Sequence, residues 1–224
     1  LPAAPAELSA GPAAATRETE PVGDTVTVAP TATPAASLVV CLLGPPVVEG
    51  LRKPIRRRGV SRLLYSLALH HPGPVTVEQL RDLAATSDDR SEAAETVISY
   101  ASILRSSTPD GVLPQIGAGQ TGYQLDPDLV DVDVAVFDAL TVSSGDLDDS
   151  DRIAAGLKAL SLVRGAPLAG HSWHGIEPTV RALTTRIERL AVDTARVALG
   201  DRDARRAEQA IEAGLKAIPE SPVL

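Results

Sequence analysis

The stretch Val112–Asp126, VLPQIGAGQTGYQLD, decides how the chain is read, because its glycines admit two incompatible chemistries. Gly117, Gly119 and Gly122 stand in the GxGxxG spacing of a dinucleotide fingerprint. That fingerprint needs a helix after the last glycine, since the free amides of a helix N-terminus hold the pyrophosphate. After Gly122 come Tyr123, Gln124, Leu125, Asp126 and Pro127, an apolar/polar alternation closed by a turn. A phosphate loop is excluded too, because Gly122 precedes Tyr123 and not Lys with Ser or Thr. The expectation is a β-hairpin whose glycines supply positive φ.

Outward from this segment, three amphipathic helices precede it. Val60, Leu63, Leu64, Leu67 and Ala68 recur at helical spacing and stop at His70, His71, Pro72 and Gly73. Both imidazoles are suited to interact with the last carbonyls of that helix. Thr76 reads as the N-cap of a short second helix carrying Val77, Leu80, Leu83 and Ala84. A third runs from about Ser91 to Ser106, with Ala94, Val97, Ile98, Ala101 and Leu104 expected on its buried side. Upstream, Ser37–Leu43 is an apolar run too short for a helix, and it predicts a strand paired with Val47–Leu51 across Gly44, Pro45 and Pro46. Strand pair, three helices and hairpin together outline a winged helix-turn-helix over 37–126.

Downstream the chain turns acidic and helical. Helices are expected over 131–141 (Val132, Val136, Phe137, Leu140), 151–163 (Ile153, Ala154, Leu157, Leu160), 177–199 and from Asp203 to about Ala217. The last pair matches a tetratricopeptide pattern through Ala195, Ala207, Ile211, Gly214 and Pro219. The fold class expected is therefore mixed: an α+β winged helix over 37–126, then an all-α tetratricopeptide-like domain over 127–224, expected to be truncated after one clear repeat. Residues 1–36, rich in Pro and Ala, read as a disordered linker.

Composition narrows the function. Aromatic residues are 2% of the 224, which leaves little for stacking on single-stranded nucleic acid. The single cysteine, Cys41, excludes an internal disulfide and suits a reducing, cytoplasmic setting. No apolar run reaches membrane-spanning length. The absence of methionine reads as a fragment of a longer polypeptide, and a membrane anchor of the parent would lie outside these residues. The net charge of −8 is unevenly spread: 38–125 holds nine basic and eight acidic groups, whereas 126–224 holds eleven and seventeen. Arg52, Lys53, Arg56, Arg57, Arg58 and Arg62 form the basic cluster, the kind of local patch that phosphate contacts require.

Other groups read as structural. His171 and His174 lack partners for a metal, and Trp173 reads as a packing residue. The run Asp146, Asp148, Asp149 and Asp151 misses the Gly and Glu of a calcium loop. No nucleophile elbow is present, and neither an enzyme nor a cofactor is expected.

In order and motif the chain resembles the Streptomyces antibiotic regulatory protein family, an OmpR-like winged helix followed by a bacterial transcriptional activator domain. The residues carrying the resemblance are Leu43, Gly44 and Pro45; Arg62–Leu80; Ile98–Arg105; Gly122, Tyr123, Leu125 and Asp126; Asp131, Asp133 and Phe137; and Arg164, Gly165, Pro167, Leu168 and Trp173. It implies a regulator that docks on double-stranded DNA through Arg56, Arg57, Arg58 and Arg62. The third helix would present Arg90, Glu92, Glu95, Thr96, Ser99, Tyr100, Ser102 and Arg105 to the major groove, with wing support near Gln120 and Thr121. It also implies that the helical domain meets RNA polymerase or another protein, or forms a homodimer. Base reading usually draws on Arg, Lys, Asn or Gln, and this face has two arginines beside two glutamates. A winged-helix scaffold that recruits proteins without reading DNA therefore stands as the alternative.

Overall fold

The computed structural model describes residues 37–84, 93–114, 122–142 and 148–224. Ser91, Gly117 and Gly119, and the whole linker reading of 1–36, lie outside them. The chain is mixed α/β, with small sheets in its N-terminal part and packed helices after them.

Strand β1 (Leu38–Cys41) pairs antiparallel with β2 (Val47–Glu49), Val40 opposite Val48. Leu38 and Val40 are buried while Val39 and Cys41 are half-buried, the period-two pattern of a strand covered mainly on one face. On its other edge β1 pairs in parallel with β5 (Val130–Val132), giving the order β2-β1-β5. This third strand corrects the helix expected from 131. Val130, Val132 and Val134 alternate with Asp131 and Asp133, so period two wins until α4 starts at Asp133 and runs to Val142. Val136, expected among the packed residues, is consequently exposed.

Helix α1 (Arg58–Leu69) buries Val60, Leu63, Leu64, Leu67 and Ala68, and at its end a His70 ring nitrogen meets the Ser66 carbonyl at 2.8 Å. After β3 (Val75–Thr76), α2 (Val77–Ala84) begins on a reciprocal cap. The Gln79 amide donates to Thr76 Oγ1 at 3.1 Å, and the Thr76 amide donates to Gln79 Oε1 at 2.9 Å. Helix α3 (Ala93–Ser107) turns Val97, Ala101 and Leu104 inward. Ile98, expected inside, is 57% exposed because it lies off the 97/101/104 stripe.

The glycine segment departs from the expected hairpin. Strand β4 (Gly122–Tyr123) pairs antiparallel with β3, Val75 opposite Tyr123, and not with the chain near Val112. In the described part of the expected first strand, 112–114, no strand forms. Val112 and Leu113 are buried in the core, and the Val112 carbonyl accepts the Asp126 amide at 3.0 Å, so the chain does fold back across the base of the segment. Gly122 is required for approach and not for a positive φ, since a Cβ there would strike the Val75 backbone. No helix follows Tyr123 before Asp133.

The remaining helices are α5 (Asp149–Ser161), α6 (Glu177–Gly200) and α7 (Ala204–Ala217), which pack on one another and on α4. Asp148 caps α5 by accepting the Asp151 amide at 2.9 Å, and Asp203 caps α7 through Arg206 at 3.0 Å. Part of the acidic run thus starts a helix. Small residues set the helix spacing: a Cβ on Gly214 would lie 2.7 Å from the Ala191 Cβ, and one on Gly156 would strike the Thr194 hydroxyl. Among the described residues no helix is long and apolar enough to cross a membrane.

The described residues before and after 126 belong to one compact unit. Asp133 opens α4 with its carboxylate turned back onto β1, where Leu42 and Leu43 donate their amides at 2.7–2.9 Å. Arg164 approaches the same carboxylate at 3.8 Å. Burial pushes the Asp133 carboxyl above the usual carboxylate range, with those amides and Arg164 pulling it back. The 164–169 segment then lies along the β1–β2 turn: the Arg164 amide donates to the Leu43 carbonyl at 2.7 Å, and the Leu168 amide to that of Leu42 at 3.0 Å. Gly44 admits this approach, since a Cβ there would sit 2.9 Å from the Arg164 Cβ.

Candidate nucleic-acid interface

Two surfaces hold the candidate residues: the N-terminal end of α1 and the outer side of α3. They adjoin because the Tyr100 ring of α3 lies directly on Gly59 in the first turn of α1, where any side chain would overlap it. Tyr100 is therefore half-buried and spent on helix packing.

Arg56, Arg57 and Arg58 are exposed on the approach to α1 and in its first turn. That turn contains no acidic residue and no side-chain cap, so its positive end adds to the same field. Arg62, one turn on, is half-buried and stacks over Trp173, its guanidinium carbon 5.4 Å from the ring centroid. Trp173 itself donates its indole N–H to the Leu83 carbonyl at the end of α2. Arg52, from the same basic cluster, is engaged elsewhere, giving two 2.7 Å hydrogen bonds to the Asp110 carboxylate.

On α3, Ser99, Ser102 and Ser106 are exposed together with Ile98. Thr96 is half-buried and has a partner. Arg105 turns away from a groove-reading position: its Nε donates to the Leu113 carbonyl at 3.1 Å, a terminal nitrogen reaches the Pro114 carbonyl at 3.4 Å, and the guanidinium carbon sits 5.6 Å from the Tyr123 ring. It clamps the chain leaving α3 against β4. Arg90, Glu92, Gln120 and Thr121 lie outside the described residues, as does the side chain of Glu95.

The arrangement thus leaves Arg56, Arg57 and Arg58 exposed next to the turn of α1 that packs on α3, and withdraws Tyr100 and Arg105 from the exposed strip of α3. No family model matches the chain, and no curated protein matches it.

Local reading of the sequence misses the loop 170–173, which folds onto the 58/62/65 face of α1. Tyr65 meets His171 edge-on, ring centroids 5.6 Å apart, and Trp173 closes over Arg62. Nothing in the spacing of Gly170, His171, Ser172 and Trp173 announces that partner. Among the described residues no three His, Cys, Asp or Glu side chains come together as a metal would require.

Proposed function

We propose that the chain is a transcription-regulatory binding module of the Streptomyces antibiotic regulatory protein type. In this reading α1–α3 with β3 and β4 are a winged helix-turn-helix, and α4–α7 are the tetratricopeptide-like activator half. The partner is double-stranded DNA, met chiefly through its phosphates, while the helical half serves a protein partner such as RNA polymerase or a second copy. The observation that carries the reading is the contact of Tyr100 with Gly59, which holds the first turn of α1, with the exposed Arg56–Arg58 run at its start, against α3. Guanidinium groups at the flank of an inserted helix neutralise backbone phosphates and fix its register.

A second reading is favoured by the commitment of Arg105 to the Leu113 and Pro114 carbonyls. The exposed strip then offers Ile98, Ser99, Ser102 and Ser106, none with the long donors of base readout, and a protein-recruiting scaffold fits such a face. Fluorescence anisotropy with a randomised duplex pool, at low and at physiological salt, tests both. DNA binding predicts salt-sensitive association that Ser99→Glu and Ser102→Glu abolish by setting carboxylates against phosphate. Absence of association at low salt, or association indifferent to both substitutions, rejects the regulator reading and leaves the scaffold.

A further inference from the structure

The cleft between α1 and the 170–173 loop has a charge pattern that docking on a duplex explains only at its outer edge. Its volume is about 270 Å³, and Arg56, Arg58 and Arg62 line it on one side with His171, Ser172 and Trp173 on the other. Elsewhere Arg52, Arg152, Arg164, Arg186, Arg196 and Arg206 each hold an aspartate, while others, Arg181 and Arg205 among them, stand singly without one among the described residues. Acidic groups outnumber basic ones in the chain, 29 to 21, so carboxylates are in surplus. Yet among the described residues none is ion-paired to the three arginines of the cleft. Beside the loop, Glu177 accepts the Ser172 hydroxyl at 3.3 Å. Like charges gathered without a counter-charge repel, and the arrangement relaxes when an anion enters between them.

We infer that this cleft binds a small phosphate-bearing anion, a phosphate monoester, held between the arginines of α1 and the 170–173 loop. Guanidinium groups suit phosphate because their forked N–H donors match its oxygens. A hydroxyl donor stands on the α1 wall, Ser61, whereas that of Ser172 is given to Glu177. The size selects a small ligand, since the cleft falls below the about 300–1,000 Å³ of a drug-sized pocket. The aromatic rings do not serve as stacking platforms: Tyr65 and Trp173 are buried, and Arg62 covers the Trp173 face. A duplex is too wide to enter and would touch only the outermost arginines. The inference does not depend on the regulator reading. Where both hold, the anion would brace α1 against the helical half and withdraw Arg56 and Arg58 from DNA.

Isothermal titration calorimetry of the full chain with glucose 6-phosphate, glucose and inorganic phosphate tests this, beside the double variant Arg56→Gln/Arg58→Gln. Both arginines are exposed, so the variant keeps the core, which circular dichroism verifies. The expected result is saturable heat for glucose 6-phosphate and inorganic phosphate, none for glucose, and affinity weakened about tenfold or more in the variant. No saturable heat for either phosphate, or equal binding by the variant, overturns the inference. A variant that loses duplex binding while the wild-type chain ignores both phosphates assigns these arginines to DNA and overturns it as well. Failure of duplex binding alone, with phosphate binding intact, rejects only the regulator reading.

Discussion

The Asp133 carboxylate receives the Leu42 amide on both of its oxygens, at 2.7 and 2.8 Å, and so ties the first residue of α4 to the end of β1. Leu43 adds a further amide at 2.9 Å. Removing the carboxylate strands these donors in a part-buried site. Asp133→Ala is expected to cost about 2–3 kcal/mol in urea unfolding. A change within about 0.5 kcal/mol would mean that water replaces the carboxylate without loss.

Because this tie, the 164–169 segment and the Trp173 bond to Leu83 all span residue 126, the two sides should unfold together. Trp173 is the sole tryptophan and is 6% exposed, so its emission reports the junction. Urea titrations followed by Trp173 fluorescence and by far-ultraviolet circular dichroism should superimpose. Separate midpoints would show that the halves are independent.

Gly59 lies under the Tyr100 ring. Gly59→Ala should therefore destabilise the chain by about 1–3 kcal/mol by forcing α1 and α3 apart. In a Tyr100→Ala background the same substitution should cost far less. Additive effects in this double-mutant cycle would remove the contact as the cause.

Burial holds the His71 imidazole below its ordinary pKa of 6.5 against the opposing charge of Asp131, and its Nδ1 has no hydrogen-bond partner. The unfolded chain thus takes up a proton at higher pH than the folded one. The stability contributed by neutral His71 is present above pH 6.5 and is lost as pH falls towards the lower folded pKa. Melting temperatures from neutral pH down to about 5.5 should fall more steeply in the wild type than in His71→Asn. Parallel curves would contradict this.

Arg105→Ala should act on the fold before it acts on any ligand. Losing the Leu113 and Pro114 carbonyl contacts and the Tyr123 stack is expected to cost about 1–2 kcal/mol. Hydrogen exchange should speed up at Tyr123. An Arg105→Ala chain of unchanged stability and exchange would return this arginine to solvent, free to meet DNA.

Much of the secondary structure was legible because it rests on local physics. The Thr76–Gln79 cap, the apolar stripe of α1 and the Asp203 start of α7 each need only neighbours within one helical turn. β5 escapes a local reading although Val130, Val132 and Val134 alternate openly, because the apolar residues beyond them also satisfy a helical period. The candidate site was legible in residue type and not in orientation. Arg56, Arg57 and Arg58 are exposed as their charge suggests, but the same reading placed Arg105 and Tyr100 outward, and both are turned onto the protein.

From residue order alone came the helix stripes, the caps and the exclusion of a nucleotide fold after Gly122, since an alternating, proline-ended segment cannot supply the helix N-terminus that pyrophosphate needs. The pairing of β4 with β3, the parallel insertion of β5 beside β1, the closing of Trp173 over Arg62 and the inward duty of Arg105 came from the tertiary structure. These contacts join residues far apart in the chain. Their geometry depends on which buried surfaces meet and which backbone groups need partners when they do, and no local period carries that information.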